Sequence, residues 1–228
     1  MLKLEQDGDV YVLNLAADEE NRFSPAWLDE VEAVLDQVEA VEGPCALVTV
    51  GSGKFWSTGL DLDWLGAHLD EAAQYLDRVS LLLARTLASP VVTVAALNGH
   101  AFGAGGMWAL AHDFQVMRTD RGYFCLPEVD LGLTFEPRLS ALVRSRLTPA
   151  VAHEAMTTGR RYGGPDALAA AIVQETATAE ELPTVALAKA RDLAAKTKPA
   201  RGQIKEILYA ETLAALRKPS AAGADAQA

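Results

Sequence analysis

Apolar and polar residues alternate at period two in Leu2-Lys3-Leu4 and again in Val10-Tyr11-Val12-Leu13-Asn14-Leu15, on either side of Asp7-Gly8-Asp9. Period two puts every second side chain on one face of a strand, so the opening is predicted to be a β-hairpin. The spacing then changes. Ser24-Pro25 supplies an N-cap residue and a proline at the first helical position, and Leu28, Val31, Leu35 and Val38 follow at helical intervals to about residue 41. Ala46-Leu47-Val48-Thr49-Val50 shows no alternation and ends at Gly51, as expected of a strand buried on both faces. A second amphipathic helix over 70–88 carries Leu76, Val79, Leu83 and Leu87 on one stripe. Pro90 ends it, and a second buried strand, 91–97, closes at Asn98-Gly99. A helix over 104–112, a strand-like run 114–117 and a short apolar piece 123–126 complete an alternation of strands and helices, the pattern of an α/β core. From residue 137 the signal is helical. The last helix is predicted over 201–217, with Ile204, Ile207, Leu208 and Leu216 on one face, and the Ala-rich tail 219–228 is expected to be disordered.

Composition narrows the function. With 228 residues, 50% of them hydrophobic and 22% charged, the chain reads as one large domain or a core with a helical appendage. Its net charge of −11 argues against a nucleic-acid surface, because phosphate binding draws on clustered cations. That charge is uneven: residues 1–80 hold four basic and seventeen acidic side chains, net −13, and the remainder is net +2. An anionic ligand must therefore be met by a few placed cations. Cys45 and Cys125 sit in apolar stretches without a disulfide framework, and no apolar run reaches the ~18 residues of a membrane span. The expectation is a soluble, cytoplasmic protein with no membrane partner.

Two glycine-rich segments follow buried strands: Gly51-Ser52-Gly53-Lys54-Phe55-Trp56-Ser57-Thr58-Gly59-Leu60-Asp61, and Asn98-Gly99-His100-Ala101-Phe102-Gly103-Ala104-Gly105-Gly106-Met107. The first fails as a phosphate loop, since Val48 stands at the leading glycine and Phe55 follows the lysine. The second fails as a dinucleotide fingerprint, since Trp108 occupies the third glycine position. His68, His100, His112 and His153 form no metal-ligand spacing, and no Gly-x-Ser-x-Gly elbow is present. Downstream stands Leu126-Pro127-Glu128-Val129-Asp130-Leu131-Gly132-Leu133.

Together, over roughly residues 5–170, these three pieces resemble the signatures of the crotonase, or enoyl-CoA hydratase/isomerase, superfamily, in order and in spacing. The resemblance implies an α/β fold of stacked ββα units with a helical C-terminal region packing onto trimer partners: a catalytic core over 1–195, a C-terminal assembly helix over 196–218 and a tail beyond. It implies an acyl-CoA substrate of fatty acid β-oxidation, no cofactor beyond the coenzyme A the substrate carries, and a homotrimer or dimer of trimers. The backbone N–H groups at Leu60 and Ala104 would form an oxyanion hole for the thioester oxygen, the latter at a helix N-terminus. Hydratases of the family use two glutamates to hold water. Here Met107 replaces the first, and Glu128 stands at the second. A lone carboxylate suits proton shuttling from C2 to C4, so the expectation is a Δ3,Δ2-enoyl-CoA isomerase of the single-glutamate, peroxisomal type; a hydratase, or a non-catalytic acyl-CoA-binding protein, is the alternative. Burial among Leu126, Val129 and Leu131 would raise the Glu128 pKa. Asp130 either shares the pocket or holds a loop, and Glu136 is a further carboxylate that would restore water activation if it folded into the site. Asp61 reads as a helix cap, and Met107 and Trp108 as core or acyl-pocket wall. Arg22 and Lys54 are the candidates for the CoA phosphates, with the basic stretch Lys196, Lys198, Arg201 and Lys205 either reaching the adenine 3′-phosphate or lying on a solvated face.

Overall fold

The computed structural model describes residues 2–15, 19–196 and 198–220. The opening hairpin is present: β1 (Lys3–Asp7) and β2 (Val10–Leu15) pair antiparallel through Gly8 at φ 61°. After α1 (Pro25–Glu39), capped by Ser24 Oγ, which accepts from Trp27 N at 3.3 Å, the chain makes three strand-strand-helix turns. β3 (Ala46–Gly51) and β4 (Phe55–Ser57) lead into α2 (Leu62–Ala67) and α3 (Ala72–Ala88). β5 (Val92–Leu97) and β6 (His100–Phe102) lead into α4 (Ala104–Ala111), and β7 (Phe114–Arg118) and β8 (Phe124–Cys125) into α5 (Pro137–Arg146). Then come α6 (Pro149–Thr158), α7 (Gly164–Ala169), β9 (Glu175–Ala177) and α8 (Leu182–Ala194), and finally α9 (Lys198–Leu208) and α10 (Ala210–Leu216).

The first strand of each turn joins a six-stranded sheet ordered β1-β2-β3-β5-β7-β9, and the second builds a separate three-stranded parallel sheet, β4-β6-β8. This is the expected α/β architecture of stacked ββα units. The small sheet itself escapes the hydrophobic pattern because its strands run only two or three residues. β9 is equally short, and interrupts a region that reads as helical throughout.

Helix α8 lays a stripe of Leu182, Ala186, Ala190 and Ala194 on one face of the large sheet, against Val48, Val92, Val94 and Val116. Small side chains let helix and sheet approach closely. The opposite face carries the main core, in which α1, α3 and α4 bury Leu28, Leu83, Trp108 and their neighbours around Trp56. No helix among the described residues is long and apolar enough to cross a membrane.

The C-terminal region departs from expectation. Two helices, broken at Tyr209, replace the continuous one, and Ile204, Ile207 and Leu208 are exposed while Lys205, Thr212, Leu213 and Leu216 are buried. Polar anchors decide the orientation. Lys205 Nζ meets Asp113 at 2.7 Å and the Ser89 carbonyl at 2.8 Å, Arg146 donates to the Tyr209 hydroxyl at 2.5 Å, and Ser80 Oγ donates to the Leu216 carbonyl at 2.7 Å. A buried ammonium needs its partners, so satisfying Lys205 outranks burying the isoleucines. The helices thus pack on α3 and α5 of their own chain. The basic stretch is largely spent in the same way: Lys198 donates to the Val41 carbonyl and Arg201 to the Leu193 carbonyl, so with Lys205 these cations fasten the C-terminal region rather than wait for a phosphate. Residues 221–228 of the expected tail lie outside the described residues. Replacing Lys205 with Ala leaves Asp113 without its ammonium, and is expected to lower the unfolding free energy by about 3 kcal/mol in a denaturant titration.

Candidate active site

Each strand of the small sheet ends in one of the pieces singled out by sequence. β4 runs into Thr58-Gly59-Leu60, β6 into Gly103-Ala104, and β8 into Leu126-Pro127-Glu128. Because the strands are parallel, all three exits lie at the same carboxyl edge, where open parallel sheets place their ligands.

Glycine brings the first two exits into backbone contact. Gly59 has φ 82°, and a Cβ on it would stand 2.7 Å from Ala104 N and 2.5 Å from Gly105 N. A Cβ on Gly105 would stand 2.5 Å from the Ser57 carbonyl oxygen. Gly103, at φ 51°, turns the chain from β6 into α4. Around this contact the polar groups are consumed one by one. Gly59 N donates to Ser57 Oγ at 3.0 Å, Ser57 Oγ donates to the Asn21 carbonyl at 2.8 Å, and the Gly59 carbonyl accepts from Phe23 N at 2.8 Å. Asp61 N donates to the Tyr75 hydroxyl at 2.9 Å. No acceptor among the described residues takes the Leu60 N–H or the Ala104 N–H. Two neighbouring amide donors are therefore left open, one of them at the positive end of α4.

Glu128 faces them. Its Oε1 lies 3.8 Å from where a Cβ on Gly103 would stand, and its buried Oε2 has no hydrogen-bond partner among the described residues. A tight turn fixes its backbone, whose carbonyl accepts from Leu131 N at 3.1 Å and Leu133 N at 2.9 Å. Burial raises the Glu128 pKa above the ordinary carboxylate range. The apolar shielding differs from expectation: Leu126 is buried, but Val129 and Leu131 are exposed, at 45% and 56%.

The remaining candidates have other duties. All of α4 is buried, and Trp108 packs edge-on against Phe23 and Trp27 while its indole donates to Thr86 Oγ1 at 3.0 Å. Trp108 is thus a core residue rather than an acyl-pocket wall, and Met107, 2% exposed, is enclosed with it. Arg22 holds Glu20 at 2.7 Å and Asp63 at 2.6 Å, so its charge is spent on the acidic residues around the β4 exit. Lys54 is exposed over the Phe55 ring, at the amino end of β4, opposite to Leu60. Asp61 caps α2 as expected, accepting from Trp64 N at 3.2 Å. Glu136 caps α5 and pairs with Arg138 at 2.7 Å, and Asp130 packs against Gly159. His112 is a core residue bonded to Trp108 O and Thr49 Oγ1, its pKa pushed down to about 4 by burial. Tyr75 escaped the sequence reading, since a tyrosine beside an apolar helical stripe carries no sign of a bond to a loop fourteen residues earlier. A cavity of about 740 Å³ between α5, α6 and α10 contains none of these residues. Size does not locate the chemistry here.

Two open amides beside a desolvated carboxylate are the equipment of an enzyme that draws a proton from carbon next to a carbonyl and holds the resulting enolate oxygen. The comparisons agree with that class. The chain belongs to the enoyl-CoA hydratase/isomerase family, whose model matches residues 5–228. It is 37% identical over 205 residues to enoyl-CoA delta isomerase 3 of Arabidopsis thaliana, covering 86% of each chain. It is also 37% identical over 186 residues to the peroxisomal enoyl-CoA delta isomerase 2 of that plant, covering 78% of this chain and 77% of the relative. Among solved structures, a probable enoyl-CoA hydratase from Mycobacterium tuberculosis superposes with a TM-score of 0.89 at 25% identity, over 96% of this chain and 92% of that one.

Gly59→Ala forces a side chain into the Ala104 backbone at a left-handed φ. It is expected to cost about 2 kcal/mol of stability from the strained backbone alone, read as a lowered midpoint in urea unfolding.

Proposed function

We propose that this chain is a Δ3,Δ2-enoyl-CoA isomerase in which Glu128 is the sole acid and base. The thioester oxygen sits between the Leu60 and Ala104 N–H groups. Glu128 takes a proton from C2, the electron pair moves onto the thioester oxygen, and the enolate is held by the two amides. The carboxylic acid then returns its proton to C4 as the enolate collapses, leaving the double bond between C2 and C3. Nothing is added or lost, so no cofactor is required beyond the coenzyme A of the substrate.

The observation that carries this reading is the lone carboxylate. Glu128 stands by the open amides with a partnerless oxygen and a raised pKa. Met107 fills the neighbouring helical position with a thioether that cannot activate water, while Glu136 is committed to a helix cap. The names of the Arabidopsis relatives support the same choice. The exposed apolar Ile204, Ile207 and Leu208 support assembly as a homotrimer or dimer of trimers. Buried free thiols at Cys45 and Cys125 suit a cytoplasmic setting. Lys54, exposed and without a carboxylate partner among the described residues, is the better of the two cations for a CoA phosphate.

Incubation with 3-hexenoyl-CoA is expected to yield the conjugated 2-enoyl thioester, followed by its ultraviolet absorbance, with no 3-hydroxyacyl-CoA in the chromatogram; accumulation of the hydroxy product makes the chain a hydratase instead. Glu128→Gln is expected to lower kcat by about a thousandfold while CoA-ester binding, measured by calorimetry, survives. The base works ionised, so kcat/KM falls as pH drops through its pKa. Since burial raises that pKa, the acid limb is expected above the ~4.3 of a free glutamate.

A further inference from the structure

An amide that is to hold an enolate must be aimed before substrate arrives, and its aim is set by the peptide plane that contains it and, through φ and ψ of its residue, by how the next plane is held. At Leu60 both planes are tied. The Gly59–Leu60 peptide contains the open N–H, and its carbonyl accepts from Phe23 N at 2.8 Å. In a planar trans peptide the C=O and N–H point in opposite directions, so anchoring the carbonyl to Phe23 turns the Leu60 N–H the other way. The Leu60–Asp61 peptide is anchored by one side chain, the Tyr75 hydroxyl, which accepts from Asp61 N at 2.9 Å. With both planes held, φ and ψ of Leu60 are restrained from either side.

We infer that Tyr75 is a positioning residue of the active site: its hydroxyl fixes the Leu60–Asp61 peptide and thereby the direction of the Leu60 N–H. The phenol is suited to the task. The residue is 4% exposed, its ring lies against Trp64 with ring centroids 5.1 Å apart, and it is carried by α3, a helix of the main core. Burial pushes its pKa up to about 12, so it stays a neutral acceptor across the working pH range. The same bond consumes the Asp61 N–H, which would otherwise stand beside the Leu60 N–H as a competing donor. Asp61 is held from its other side as well, through the cap it makes with Trp64 N at 3.2 Å. Tyr75 thus joins the core to the donor loop. This inference rests on the reading of Leu60 as an oxyanion donor.

The test compares wild type, Tyr75→Phe and Glu128→Gln with cinnamoyl-CoA, a chromophoric thioester whose absorbance moves to the red when its carbonyl oxygen is hydrogen-bonded. Wild type and Glu128→Gln are expected to shift the bound chromophore equally, since the amides are intact in both. Tyr75→Phe is expected to bind the ester with unchanged affinity but to lose at least half of the shift. With 3-hexenoyl-CoA it is expected to lose about tenfold in kcat, with KM within twofold and the acid limb of the pH profile unmoved, because Glu128 is untouched. A full shift and unchanged kcat in Tyr75→Phe overturn the positioning role and leave the oxyanion reading standing. No shift in wild type overturns both. If Tyr75→Phe does not fold, exchange of the Asp61 amide in the wild-type protein decides: protection well above that of a free amide supports the bond, and free exchange overturns it.

Discussion

The site depends on one contact, that of backbone with backbone between Gly59 and the Ala104–Gly105 turn. A methyl group on Gly59 would stand within 2.9 Å of main-chain atoms of Ala104 and Gly105, and one on Gly105 within 2.8 Å of the Ser57 carbonyl. Because none is present, the exits of β4 and β6 lie together and leave two amide donors side by side. The rest of the molecule serves that contact. The paired strands of each ββα unit split between two sheets, so that every turn of the chain delivers one short strand to the small sheet and one exit to its carboxyl edge. Asn21, Ser57 and Phe23 then take up the polar groups around Gly59, and the Leu60 N–H remains open.

Against this backbone device the side-chain chemistry is sparse. Glu128 is the carboxylate at the proposed site, and the other candidate acids have other duties: Glu136 and Asp61 cap helices and Asp130 packs on Gly159. A single desolvated base can only give back what it takes, which is the economy of an isomerisation. Addition of water asks for a second group to hold the nucleophile, and the enclosed thioether of Met107 offers none.

Much of this was legible in the residues, and what was not has physical reasons. The long strands and amphipathic helices announce themselves through period, and the glycine segments through the conformations that only glycine adopts cheaply. The small sheet has strands too short to show a period, although it is the element that gathers the site. Charge misled where apolar pattern and ion pairing competed. Ile204, Ile207 and Leu208 looked like a buried stripe, yet Lys205 and Tyr209 are drawn to Asp113 and Arg146 and turn that stripe outward. Arg22 looked like a rare cation awaiting a phosphate, and is instead held by Glu20, its near neighbour in sequence, and by Asp63, which comes close to it only on folding. Tyr75 shows its importance only through a contact across fourteen residues. The uneven charge of the first eighty residues is therefore managed within the chain before it bears on any ligand.

In the proposed reaction one carboxylate carries one proton between two carbons of the same molecule. This transfer is tested most directly by turning over 3-hexenoyl-CoA deuterated at C2 in ordinary water and locating the label in early product by mass spectrometry and NMR. A measurable share of the deuterium is expected at C4, because the acid form of Glu128 reprotonates the enolate before it exchanges with solvent. Turnover that places no deuterium at C4 even at the earliest times, or a product that has gained water, would contradict that reaction.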